Sequence, residues 1–102
     1  MQLTAEEQRA VTGYVKFRER FLMESFPKVY KKMEKAGTLA NHLEATALEA
    51  LEMESDLRTQ MHRQAVGADG SFEETAEKLK QIPLVVAEIV QAEVLTVPPM
   101  RT

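Results

Sequence analysis

Tyr14 to Leu43, YVKFRERFLMESFPKVYKKMEKAGTLANHL, is the stretch that decides the fold. It holds five of the six aromatic residues and one of the sharpest punctuation marks in the chain, Ser25-Phe26-Pro27. Ala10, Tyr14, Phe17 and Phe21 recur at one helical turn, which predicts an apolar stripe on a helix. Arg9, Lys16 and Arg20 fall on its opposite face. Proline disfavours the helical conformation in the residue before it, yet suits the first position of a new helix. One helix is therefore expected to end before Pro27 and a second to begin there, with Val29, Tyr30 and Met33 inward. Lys31, Lys32 and Lys35 crowd the end of that second helix, where cations complement the dipole. Gly37 is the expected left-handed residue beyond it.

Outward from this corner the pattern stays helical. Thr4-Ala5-Glu6-Glu7 reads as a capping box and starts the first helix. Thr38 is expected to cap the longest helix, about 40 Å at 1.5 Å per residue. Leu39, Leu43, Ala47, Ala50, Leu57, Met61 and Ala65 make its apolar stripe, and Glu49, Glu52 and Asp56 its solvated face. Gly67-Ala68-Asp69-Gly70 ends it, and Ser71-Phe72-Glu73-Glu74 is a second capping box. Pro83 is expected to kink or break the last helical region near Lys80–Ile82. No strand alternation and no internal repeat appear. The expected architecture is all-α: a small helical bundle with one long central helix and shorter ones packed against it. A single domain over residues 1–96 would contain helices near 5–24, 27–36, 39–66, 72–81 and 84–95, followed by an extended tail, 97–102.

Composition bounds the function. The chain has 102 residues, 44% of them apolar, six methionines, no tryptophan and a net charge of −3. A core of that size is thin, and self-association, a homodimer for instance, is a natural supplement. No cysteine is present, which removes disulfides, thiolate metal sites and thiol catalysis and fits a reducing cytoplasm. No basic leader followed by an apolar segment appears, and no apolar run approaches membrane-spanning length.

No motif spells out a reaction. His42 and His62 lie twenty residues apart on one helix, about 30 Å, and cannot share an ion. Glu-x-x-His, HExxH, GxSxG and phosphate-binding glycine loops are absent. The expectation is a non-enzyme with no catalytic, cofactor or metal residues. Two charges sit oddly: Arg18 beside the aromatic stripe and Glu54 inside the stripe of the long helix. A charge on a buried face needs a partner, so the two are expected to pair with each other.

The remaining signal is electrostatic. Residues 9–35 carry eight Lys/Arg against three Glu, and residues 39–80 carry nine Asp/Glu against four Lys/Arg. Lys16, Arg20, Lys28, Lys31 and Lys32 are the candidate binding residues, for a protein partner first and for nucleic-acid phosphates as the alternative. Mutual attraction of the two halves, within one fold or across a dimer, is the plainer account of the asymmetry.

The ordered set Tyr14, Arg18, Phe21-Leu22, Glu24, Pro27, Tyr30, Gly37-Thr38-Leu39 and His42-Leu43 resembles the TnpV family, small proteins encoded in bacterial transposons and related mobile elements. Ala50 and Glu52 continue the pattern, and Glu88-Ile89-Val90 and Glu93-Val94-Leu95 resemble its closing helix. Ala47 stands where an acidic residue is common, and Pro83 interrupts a helix usually continuous. The resemblance implies a mobile-element setting and brings no catalytic residues. Three readings result: an accessory protein acting by protein–protein binding, a nucleic-acid-binding accessory factor, and an inhibitor of a host defence nuclease offering Glu49, Glu52 and Asp56 as a phosphate-like surface.

Overall fold

Local capping sets the first boundary. The Glu7 N–H donates to Thr4 Oγ1 at 3.1 Å, and the Thr4 N–H donates to Glu7 Oε1 at 2.9 Å. Two N–H groups left orphaned at the helix start are thereby satisfied. The computed structural model describes residues 2–67 and 71–99, and the helix this box opens is α1, Ala5–Ser25. Phe26, with φ −138°, turns the chain, and Pro27 starts α2, Pro27–Ala36.

Gly37 adopts φ 75°. Its N–H donates to the Glu34 carbonyl at 3.2 Å, and the Thr38 N–H donates to the Met33 carbonyl at 3.0 Å. These are the two bonds of a Schellman ending, for which glycine has no Cβ penalty. The Thr38 hydroxyl, expected to cap the next helix, is turned back to the Met33 carbonyl at 3.4 Å. It serves the end of α2, while its backbone carbonyl accepts from the His42 N–H at 3.0 Å to start α3, Leu39–Gly67.

The last helix differs from expectation. α4 runs from Phe72 to Val90 straight through Pro83, without the expected division into 72–81 and 84–95. Ile82, Val86 and Val90 are buried on both sides of the proline, so packing keeps the helix continuous across the missing hydrogen bond. Pro83 itself is exposed, and the carbonyl it leaves without a helical partner is that of Leu79. At the start of α4, the Ser71 hydroxyl accepts from the Glu74 N–H at 3.1 Å, the first half of the expected box. At its end the helix widens into one π turn, Gln91–Leu95, closed by the Thr96 N–H on the Gln91 carbonyl at 2.9 Å. The Ala68-Asp69-Gly70 part of the expected turn and the Met100–Thr102 end of the expected tail lie outside the described residues.

The fold is all-α, with no strand among the described residues. α3 is the axis. α1 and α4 each lie along it, α2 packs on α1 and α3, and α1 meets the π turn but not α4. Ala47 and Ala50 are fully buried on α3, where small side chains let the neighbouring helices approach. Ala50, Ile82, Val86, Val90, Val94 and Leu95 form the main core, with Tyr14, Met53, Leu57, Met61 and Leu79 packed around it. Burying a Val or Leu stabilises by roughly 1.5–3 kcal/mol. Leu22, on the far side, is also fully buried.

The molecule is long, 55 × 29 × 21 Å, with a radius of gyration of 16.5 Å. A compact chain of this length would have about 13 Å. Its 7694 Å² of accessible surface exceeds the roughly 5,800 Å² expected of a compact monomer of its mass. Among the described residues no helix is long and apolar enough to cross a membrane.

Candidate functional site

The five candidate binding residues fall into two clusters. Lys16 and Arg20, one turn apart on α1, are exposed and rim a hollow of about 340 Å³. Gly13, Phe17 and Phe21 form its floor, and Glu24 and Thr96 close it. Phe17, expected in the core, is 38% exposed here. A Cβ added at Gly13 would meet nothing within 4 Å, so the glycine leaves the floor open.

Lys28, Lys31 and Lys32 are exposed on α2 and, with Glu34 and Lys35, surround a second hollow of about 480 Å³. The corner between the clusters is fixed. The Phe21 and Phe26 rings stack tilted, with centroids 5.6 Å apart, and the Tyr30 hydroxyl donates to Glu19 Oε2 at 3.1 Å. Lys16 and Arg20 are thus held together, and so are Lys28, Lys31 and Lys32, but no single hollow joins the two sets.

Arg18 occupies a third place, between the helices. It is 3% exposed and does not pair with Glu54. Its Nη1 donates to the Leu95 carbonyl at 3.0 Å and to the Val97 carbonyl. Its Nε donates to His42 Nε2 at 3.4 Å. Its Cζ lies 5.3 Å from the centroid of the Phe21 ring, in cation–π range. Burial lowers the Arg18 pKa, and the Glu49 carboxylate acts in the opposite direction; a guanidinium remains charged regardless. Beside it, a polar cavity of about 200 Å³ is bounded by His42, Thr46, Glu49, Glu93 and the Val97–Pro99 segment. The lone pair of His42 is committed to Arg18. The cluster therefore straps the Leu95–Val97 segment onto α1 and α3.

Glu54 takes its own partners: it accepts from the Tyr14 hydroxyl and faces Arg58 Nη2 at 3.4 Å. Burial, then the Glu54 hydrogen bond, raise the Tyr14 pKa above its ordinary value. Sequence phasing marks Arg18 and Glu54 as charges in need of partners. It gives no sign of which, because the Arg18 acceptors are backbone carbonyls that any residue supplies.

Among the described residues, no three of His, Asp and Glu gather as they would around a metal ion. Glu49, Glu52 and Asp56 are exposed along α3 beside Met53 and Leu57. No protein-family model, curated protein or solved structure matches the chain.

Proposed function

We propose that this chain is a non-enzymatic, cytoplasmic accessory protein of a bacterial mobile element that acts by binding another protein. One observation carries the binding part. An elongated chain with an excess of accessible surface presents a basic cluster, Lys28, Lys31 and Lys32, on a helix anchored at both ends. Pro27 fixes its start and the Gly37 turn its end, so the backbone that carries the cations is pre-positioned and little backbone order must be created on docking. The mobile-element setting is supported by the TnpV resemblance across Tyr14–Leu43. It predicts recombinase genes beside this one.

The test is affinity capture of the tagged chain from its native host, with and without nuclease, read by mass spectrometry. The expected result is a protein retained after nuclease and lost on reversing Lys28, Lys31 and Lys32 to Glu. Finding no retained protein sinks the reading.

Nucleic-acid binding is the second reading, favoured by the four lysines of α2 around one hollow. Neutralising four phosphates would give a log–log salt slope of about −3.6 on duplex DNA. A flat salt response removes this alternative.

A further inference from the structure

Phe72 carries the largest exposure of any bulky apolar side chain described, 89%. It stands at the first position of α4, directly after the Ser71 cap, and Glu73 and Glu77 follow, exposed and one turn apart. This is an aromatic knob beside two carboxylates. The hollow on α1 is its chemical opposite, with the Phe17 and Phe21 rings over an open Gly13 floor and Lys16 and Arg20 one turn apart on the rim. We infer that a second copy of this chain docks there. Phe72 of one copy enters the hollow of the other, and Glu73 and Glu77 pair with Lys16 and Arg20.

Three arguments support the second copy as occupant. The first is complementarity in kind and spacing. Residues four apart on a helix lie about 5–6 Å from each other, so both charged pairs share one span, and aromatic rings favour tilted contact. The second is geometry. Phe72 and Thr96, which closes the hollow, are separated by 24 residues of continuous helix and π turn, about 36 Å. Phe72 therefore cannot reach the hollow of its own chain. Two copies related by a two-fold axis would make the contact twice, and such an arrangement closes as a dimer instead of growing into a fibre. The third is area. A stable interface takes about 800 Å² from each partner, well within the surface that this chain exposes beyond a compact monomer.

The inference goes beyond the proposed function and assigns the clusters separately. Lys16 and Arg20 serve the second copy, and Lys28, Lys31 and Lys32 remain for an outside partner.

Sedimentation equilibrium of the full chain over a concentration series tests it. The wild type is expected at twice its 11.5 kDa chain mass, and Phe72→Asp at the monomer mass with an unchanged far-UV spectrum, since Phe72 touches no core. Gly13→Leu fills the hollow on an already helical, unobstructed position and is expected to give the monomer too. Lys16→Glu/Arg20→Glu alone and Glu73→Lys/Glu77→Lys alone are expected to be monomeric, and their mixture to recover the doubled mass. A wild type that stays monomeric throughout, or a dimer indifferent to both Phe72→Asp and Gly13→Leu, overturns the inference. A different protein found seated on the Gly13–Phe17 hollow of a monomeric wild type also overturns it. Capture of an outside protein by Phe72→Asp leaves the proposed function standing apart from this result.

Discussion

Arg18 Nε donates to His42 Nε2 at 3.4 Å, and Arg18 Nη2 lies 3.3 Å from the same nitrogen. This arrangement requires a neutral imidazole with its lone pair on Nε2 and its proton on Nδ1. A buried cation would normally be met by a carboxylate; here a neutral ring and two carbonyls share it, all drawn from elements distant in sequence.

The first prediction concerns acid. Burial, then the Arg18 charge, hold the His42 pKa below its ordinary 6.5. Glu49 and Glu93 border the same cavity, and the Glu49 carboxylate acts on Arg18 in the stabilising direction. The unfolded chain therefore takes up a proton near pH 6.5 that the folded chain refuses until lower pH. Stability is full above about 6.5 and falls as pH drops towards the folded value. Urea midpoints between pH 7 and pH 5 are expected to decline in the wild type. His42→Gln keeps an acceptor for Arg18 without titrating, so its decline over that interval should be smaller. Identical slopes refute the assignment.

Arg18 itself gives the second. Arg18→Met retains much of the aliphatic volume but leaves the Leu95 and Val97 carbonyls without their donor. Hydrogen bonds from a charged group are worth about 1.5–3 kcal/mol each, and relaxation of the chain end recovers part of that. A loss of about 2–3 kcal/mol is expected, with faster amide exchange in the π turn and at Thr96, whose N–H donates to the Gln91 carbonyl. Arg18→Lys should recover little, because an ammonium on a flexible stem does not reproduce the planar fork. Unchanged exchange at Thr96 in Arg18→Met would show that the strap does not hold the segment.

A third prediction uses the Tyr14 hydroxyl, which donates to Glu54. Its pKa is raised above 10.0, chiefly by burial. The proton stays on in the folded state, so its stabilisation is present below pH 10 and is lost as pH rises towards the folded pKa. In a Tyr30→Phe background, phenolate absorbance from Tyr14 is expected to appear together with alkaline unfolding. Tyr14→Phe should lower stability by about 1–3 kcal/mol. Phenolate formation in a chain that remains helical contradicts this account.

Single residues show which parts of the fold could be read in the sequence. Thr4 with Glu7, Pro27 and Gly37 act within four or five positions of themselves, and each forms the boundary that its chemistry demands. Arg18 reaches carbonyls 77 and 79 positions away, one at the end of a π turn and one just beyond it, and no apolar periodicity announces that turn. The outward phase of Lys16 and Arg20 on α1, and of Lys28, Lys31 and Lys32 on α2, follows from helical spacing. Their division into two hollows depends on the Phe26–Pro27 corner, a tertiary angle. Phe17, 38% exposed, shows the limit of a stripe: spacing assigns its face, while tertiary packing decides whether that face is covered.

Pro83 supplies the last prediction. Proline inside a helix removes the hydrogen bond to the residue four before it, here Leu79, and costs about 3 kcal/mol in an unsupported helix. In α4 the buried Ile82 and Val86 flank it, and its own ring is exposed, so alanine meets no steric bar and restores the bond. Proline also restricts the unfolded chain, an effect of about 0.4–1 kcal/mol in the other direction. Pro83→Ala is therefore expected to raise stability by about 1–2 kcal/mol in urea titrations, with the slope of the transition unchanged. A loss of stability would mean that α4 needs a bend at Pro83 to lie against α3, and that a straighter axis pulls Ile82 or Val90 out of the core.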